Sequence, residues 1–107
     1  MDVIERYFQV AQRQDHEGVA ACFSEDGVVV DEGRAYRGRP EIQGWREATA
    51  GTWTYTVTVL DTEHLGGQEY KAHTLVRGDF PGGEVKLTFR FTLRDGLIAR
   101  LHIGEQP

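Results

Sequence analysis

The 107 residues carry a formal charge of −5, with 39% hydrophobic and 27% charged side chains, one cysteine and four histidines. That composition excludes disorder and suits one domain over residues 1–107, since a chain this size hides roughly two-thirds of its unfolded surface. Acids and bases alternate without a basic block, which argues against nucleic acid as a partner. A single Cys22 allows neither an internal disulfide nor a thiolate metal cluster. The acidic, amphipathic start is unlike a signal peptide, and no apolar run approaches a membrane span, so a soluble, cytoplasmic protein away from membranes is expected.

Asp2 through Gln14 predicts a helix, with Val3, Ile4, Tyr7, Phe8 and Ala11 on one face and Glu5, Arg6, Gln9, Gln12 and Arg13 on the other. Asp15 has the chemistry to cap a shorter second helix that turns Val19, Cys22 and Phe23 inward. Gly27 breaks that helix, and the β-branched Val28, Val29 and Val30 favour an extended strand over Gly27 to Asp31. Asp31 and Glu32 follow directly on this apolar run, where a carboxylate is least expected. An arginine-rich loop closes on Gly38, and Pro40 suits the first turn of a third helix reaching about Ala50, with Ile42 and Trp45 on one face.

Beyond Gly51 the period changes to two. Trp53, Tyr55, Val57 and Val59 alternate with threonines; Tyr70, Ala72, Thr74 and Val76 form a second inward row. Val85, Leu87, Phe89, Phe91 and Leu93 form a third row, and Leu97, Ala99, Leu101 and Ile103 a fourth. Leu65-Gly66-Gly67-Gln68, Asp79 to Gly83 and Arg94-Asp95-Gly96 are the turns between them. Helices followed by hairpin-linked strands predict an α+β fold, with three N-terminal helices packed on a mostly antiparallel sheet.

The Tyr7-Phe8 helix, the Ala21-to-Gly27 turn, the run Val28 to Asp31 and the stretch Tyr36 to Ile42 together resemble the NTF2-like superfamily, which includes SnoaL-like polyketide cyclases and ketosteroid isomerases. The resemblance spans nearly the whole chain. It implies a strongly curved sheet wrapped around the first helix, leaving a cone-shaped pocket. It also places Tyr7 where a ketosteroid isomerase keeps its oxyanion-hole tyrosine, Asp31 where it keeps its general base, and Trp45 at a pocket-lining aromatic position. In the isomerase, an aspartate moves a proton while a tyrosine and a neutral carboxylic acid stabilise the enolate. The second acid would fall near Phe89, which cannot donate a hydrogen bond. The resemblance further implies an apolar small-molecule ligand, no cofactor, and a homodimer through the outer sheet face.

Two readings of the catalytic pair stay open. A carboxylate entering an apolar cavity is a stronger base than one in water, so Asp31 could abstract a proton and Tyr7 steady the enolate. Alternatively Asp31 ends a strand and caps the following loop, and Tyr7 is a core tyrosine with a satisfied hydroxyl. Trp45, Trp53, Tyr55, Tyr70 and Phe89 could line the cavity, or simply be core, and Thr74 could offer it a hydroxyl. Arg34, Arg37 and Arg39 could meet an anionic group at the pocket mouth, or pair with Glu32 and Glu41. His16, His64, His73 and His102 do not converge, the last two having strand parity that points them away from the pocket, so no metal is expected.

Overall fold

A computed structural model describes residues 2–105. Helix α1 (Val3–Gln12) starts where the Asp2 carboxylate accepts the Glu5 amide at 2.8 Å, and it buries Ile4, Tyr7, Phe8 and Val10. Helix α2 (His16–Ala21) is capped in the same way, with Asp15 accepting the Gly18 amide at 2.9 Å. Each side-chain cap satisfies a backbone N–H that has no partner within its own helix.

Phe23 does not belong to α2. The helix ends at Ala21, and the Cys22 carbonyl accepts the Ile98 amide at 2.9 Å, which docks the chain on the last strand and makes Phe23 the first residue of β1 (Phe23–Asp31). Gly27 is therefore inside a strand rather than at a helix break. It lies where the pairing register shifts between Phe23 and Val28, and a Cβ there would come within 3.0 Å of Phe23 Cβ and the Ser24 carbonyl. A bulge with backbone this close favours glycine.

The arginine-rich segment is likewise more ordered than a loop. Glu32 and Gly33 take φ of 53° and 77°, and they turn the chain into β2 (Arg34–Arg37), which pairs back on β1 from Asp31↔Arg34 to Val28↔Arg37. Two consecutive residues at positive φ match the right-handed twist of the flanking strands, as hairpin turns require. Helix α3 (Arg39–Thr52) then carries proline in its first turn and runs two residues past the expected Ala50.

The remaining strands are β3 (Tyr55–Gly66), β4 (Glu69–Gly78), β5 (Glu84–Arg94) and β6 (Leu97–Glu105). The sheet is curved and ordered β2-β1-β6-β5-β4-β3. Among the described strands only β1 and β6 run parallel; every other neighbouring pair is antiparallel. Trp53 lies outside β3, in the short link after α3. Inward rows of the strands and the apolar faces of the helices meet in one core built on Tyr7, Phe8, Phe23, Ile42, Phe91, Ile98 and Leu101. The ring of Tyr7 has Phe8, Phe23, Phe89 and Phe91 around it at 5.2–6.3 Å between centroids, at tilted and edge-on angles that aromatic quadrupoles favour. No helix among the described residues is long and apolar enough to cross a membrane.

Candidate functional site

One end of this core does not close. Between α1, α3 and the sheet lies a cavity of about 1060 Å³, at the upper end of the volumes that small-molecule sites enclose. Its wall is largely apolar, with Phe8, Val57, Val76, Leu87, Phe89 and Ile103 contributing, and a few polar side chains converge on it.

Asp31 reaches the cavity from the last position of β1, where the parallel pairing with Ile103 of β6 fixes the backbone. Its Oδ2 accepts the Trp45 indole N–H at 3.0 Å. Trp45 itself is 4% exposed on the inner face of α3, so a buried ring sets the position of the carboxylate. Among the described residues Asp31 forms no ion pair with Arg34, its partner across the hairpin. The carboxylate thus points toward α3 rather than capping the turn that follows it.

Tyr7 borders the same cavity from α1 and is 2% exposed. Its hydroxyl makes no hydrogen bond to another described residue. Burial holds that hydroxyl protonated far above the usual phenol range; Arg46 opposes the shift, while Tyr55 and Asp31 add to it. A phenol with that bias is a hydrogen-bond donor at any ordinary pH.

Arg46, to which the sequence reading gave no part, is the most unusual group in the cavity wall. It is 6% exposed, donates from Nη1 to the Tyr55 hydroxyl at 2.7 Å, and stacks its guanidinium over Trp45 and Tyr55 at 5.3 and 5.9 Å. Its Nε is buried without a partner among the described residues. A signal was present in the sequence: Arg46 follows Ile42 by four positions, which puts it on the buried stripe of α3 and not on the solvated side.

The other expected lining residues divide. Trp45, Trp53, Tyr55 and Phe89 border the cavity; Tyr70 and Thr74 do not. Thr74 is fully buried, but its hydroxyl is used within the sheet, donating to the Leu87 carbonyl at 2.9 Å. Tyr70 is six residues further from the mouth than Val76 on the same strand, stacked on His64 at 4.6 Å. Trp53 is 39% exposed and packs edge-on against Phe80 at 6.2 Å, forming part of the rim. That rim is latched: the Thr54 amide donates to Asp79 Oδ1 at 2.9 Å, and the Asp79 amide to the Thr54 carbonyl at 3.1 Å. His102 is exposed and alternates with buried Leu101 and Ile103, as its parity predicts, and it meets the cavity only at the edge formed with Gly104 and Glu105. Of the loop arginines, Arg39 is tied to the Phe23 carbonyl at 2.9 Å, and none of the three borders the cavity. Among the described residues no three His, Cys, Asp or Glu side chains group as metal ligands.

Residues 4–101 match the family model of the SnoaL-like domain. Among solved structures, a Sinorhizobium meliloti protein, SMa1630, provisionally described as a polyketide cyclase, is 33% identical and superimposes with a TM-score of 0.90 over 95% of this chain and 93% of its own. A Catenulispora acidiphila protein with a ketosteroid isomerase-like fold, solved with trimethylamine, is 18% identical with a TM-score of 0.88, covering 97% of this chain and 85% of its own. Rv0760c of Mycobacterium tuberculosis, solved with estradiol-17β-hemisuccinate, is 19% identical with a TM-score of 0.81, covering 97% and 91%. None of the curated proteins matches.

Proposed function

The chain belongs to the SnoaL-like domain family, and from that premise we propose that its cone binds a small, mostly apolar carbonyl compound and transfers a proton on it. In this reading Asp31 removes an acidic proton next to the carbonyl and returns it elsewhere on the same skeleton. Tyr7 donates a hydrogen bond to the enolate oxygen that develops, and Trp45 keeps the carboxylate in place. Proton transfer of this kind asks only for a base and a donor, so no cofactor enters the scheme.

One observation carries the proposal: a carboxylate and an unbonded, firmly protonated phenol border a single apolar cavity. Rv0760c, solved with a steroid ester, lends support from within the fold. Phe89 borders the cavity beside Tyr7 and offers no donor where the isomerase resemblance would put one.

The test is Asp31→Asn, assayed for isomerisation of β,γ-unsaturated ketones and for cyclisation of polyketide-like substrates turned over by the parent chain. Turnover is expected to fall by about 10²–10⁴, the usual contribution of a positioned base, with the melting temperature held within a few degrees. An Asp31→Asn variant that retains full turnover removes Asp31 from the chemistry. If no substrate is turned over by the parent chain, the same cavity serves as a binding module. We also propose that two copies associate through the outer sheet face. Half-buried Leu75 on that face and exposed Leu60 and Leu65 on the edge strand β3 support this. A monomeric mass in sedimentation equilibrium removes it.

A further inference from the structure

Arg46 poses an electrostatic problem that the scheme above leaves unsolved. A guanidinium stays charged in any protein environment, so unlike a lysine it cannot escape burial by losing its proton. Taking such a charge out of water costs several kcal/mol in real proteins unless a counter-charge and hydrogen bonds replace the water. Here the replacement is incomplete. Tyr55 is neutral and accepts one bond, the rings of Trp45 and Tyr55 supply a cation–π contribution, and Nε has no acceptor among the described residues. Among those residues no carboxylate lies within 4.0 Å of the guanidinium.

The nearest candidates for a counter-charge do not fill the role. Asp31 is engaged by the Trp45 indole N–H, and the Trp45 ring also underlies Arg46, so one side chain touches both the acid and the base without joining them. Glu32, Glu84 and Glu105 border the cavity but are exposed, where water and salt screen them. The buried part of the cavity therefore presents one unpaired positive charge opposite an apolar wall.

We propose that Arg46 is an anion-binding residue, and that the ligand of the cone is an apolar molecule bearing one compact oxyanion, such as a carboxylate or sulfonate, seated on the guanidinium. The apolar body lies against Phe8, Val57 and Leu87, and the oxyanion completes the hydrogen bonding that Tyr55 only begins. A charge-assisted bond of this kind is about twice as strong as a neutral one. The inference rests on the ligand-binding reading of the cone and adds the chemical class of what enters it.

A matched pair of dyes separates the two ideas. 8-Anilinonaphthalene-1-sulfonate and N-phenyl-1-naphthylamine share an aromatic skeleton and differ in the sulfonate. Fluorescence titration of the parent chain is expected to give one site per chain for both, with at least tenfold tighter binding of the sulfonate. Arg46→Met should abolish that preference and leave the neutral dye within twofold, whereas Arg46→Lys should keep part of it. Equal affinity of the two dyes for the parent chain overturns the anion site and leaves the cavity reading standing; this comparison needs no variant to fold. A folded Arg46→Met variant that still prefers the sulfonate also overturns it. Binding of neither dye overturns the ligand-binding reading and this inference with it.

Discussion

The two ends of the cone are built from similar residues and arranged for opposite purposes. At the closed end, Phe23, Phe91, Ile98, Leu101 and Ala72 are wholly buried, and the one polar side chain among them, Thr74, has its hydroxyl committed to a neighbouring strand. At the open end, Asp31, Arg46, Tyr55 and Tyr7 gather around the cavity, and two of them keep unused hydrogen-bonding capacity. A core is stable when it leaves no polar group wanting, because each orphan carries a desolvation cost. The open end tolerates such costs. Two other buried polar atoms without a partner among the described residues, His16 Nδ1 and Ser24 Oγ, lie away from the cavity, so what sets the open end apart is that its orphan belongs to a charged group beside an apolar hollow.

The comparison breaks most sharply at the closed end. Phe91→Ala removes a ring with no exposed surface and is expected to cost about 3–5 kcal/mol, a large share of the total stability of a small domain. Urea denaturation measures it directly. A cost below about 1 kcal/mol, well under the usual range for such a truncation, would mean that the closed end is not packed as described.

At the open end, Tyr7→Phe leaves the ring and its aromatic neighbours in place and deletes only the hydroxyl. Turnover is expected to drop by about 10²–10³, the loss typical of one oxyanion donor. The same variant carries a pH signature. An unfolded tyrosine loses its proton near its ordinary value of 10.0, while buried Tyr7 keeps its own. Above about pH 10 the unfolded chain therefore binds fewer protons than the native one, so stability present below that pH declines as pH rises. Denaturation curves from about pH 9 to 11 should show a steeper decline for the parent chain than for the Tyr7→Phe variant. Parallel declines would place the hydroxyl in water.

The smallest effect concerns positioning. Trp45→Phe keeps an aromatic ring on α3 but removes the N–H that holds Asp31 at 3.0 Å. Hydrogen bonds to charged groups contribute about 1.5–3 kcal/mol, so turnover should fall roughly ten- to a hundredfold. The loss should appear mainly in kcat, because a ring still borders the cavity at this position while the N–H that positions the carboxylate is gone. A change confined to KM would make Trp45 a wall residue and nothing more.

Much of the architecture was legible because periodicity is local. The 3.6-residue spacing of α1, the cap at Asp15, the proline opening α3 and the period-two rows of β3 to β5 can each be read from a few neighbouring residues. The row expected on β6 holds at Leu101 and Ile103 but not before them, where Ile98 and not Leu97 or Ala99 is fully buried, next to the register shift between Thr92 and Leu93. What escaped depends on distant partners. Phe23 looks helical until Cys22 is seen bonded to Ile98 across the sheet, and the arginine loop becomes a strand only because β1 lies beside it. Asp31 and Tyr7 stood out through chemistry and resemblance. Parity suits Thr74 and Tyr70 equally to lining and to core, because it tells which face a side chain takes, but not how far along the strand the cavity extends. Arg46 is hard to single out because a charged residue on a helix is ordinarily solvated, although its position four after Ile42 sets it on the buried stripe.

Trp45 and Trp53 are the two tryptophans of the chain, and both border the cavity, one buried on α3 and one exposed at the rim. Indole emission responds to the polarity and charge within a few ångströms of the ring. Events beside the buried ring and at the exposed one can thus be followed separately, by retaining one indole at a time, with no label attached.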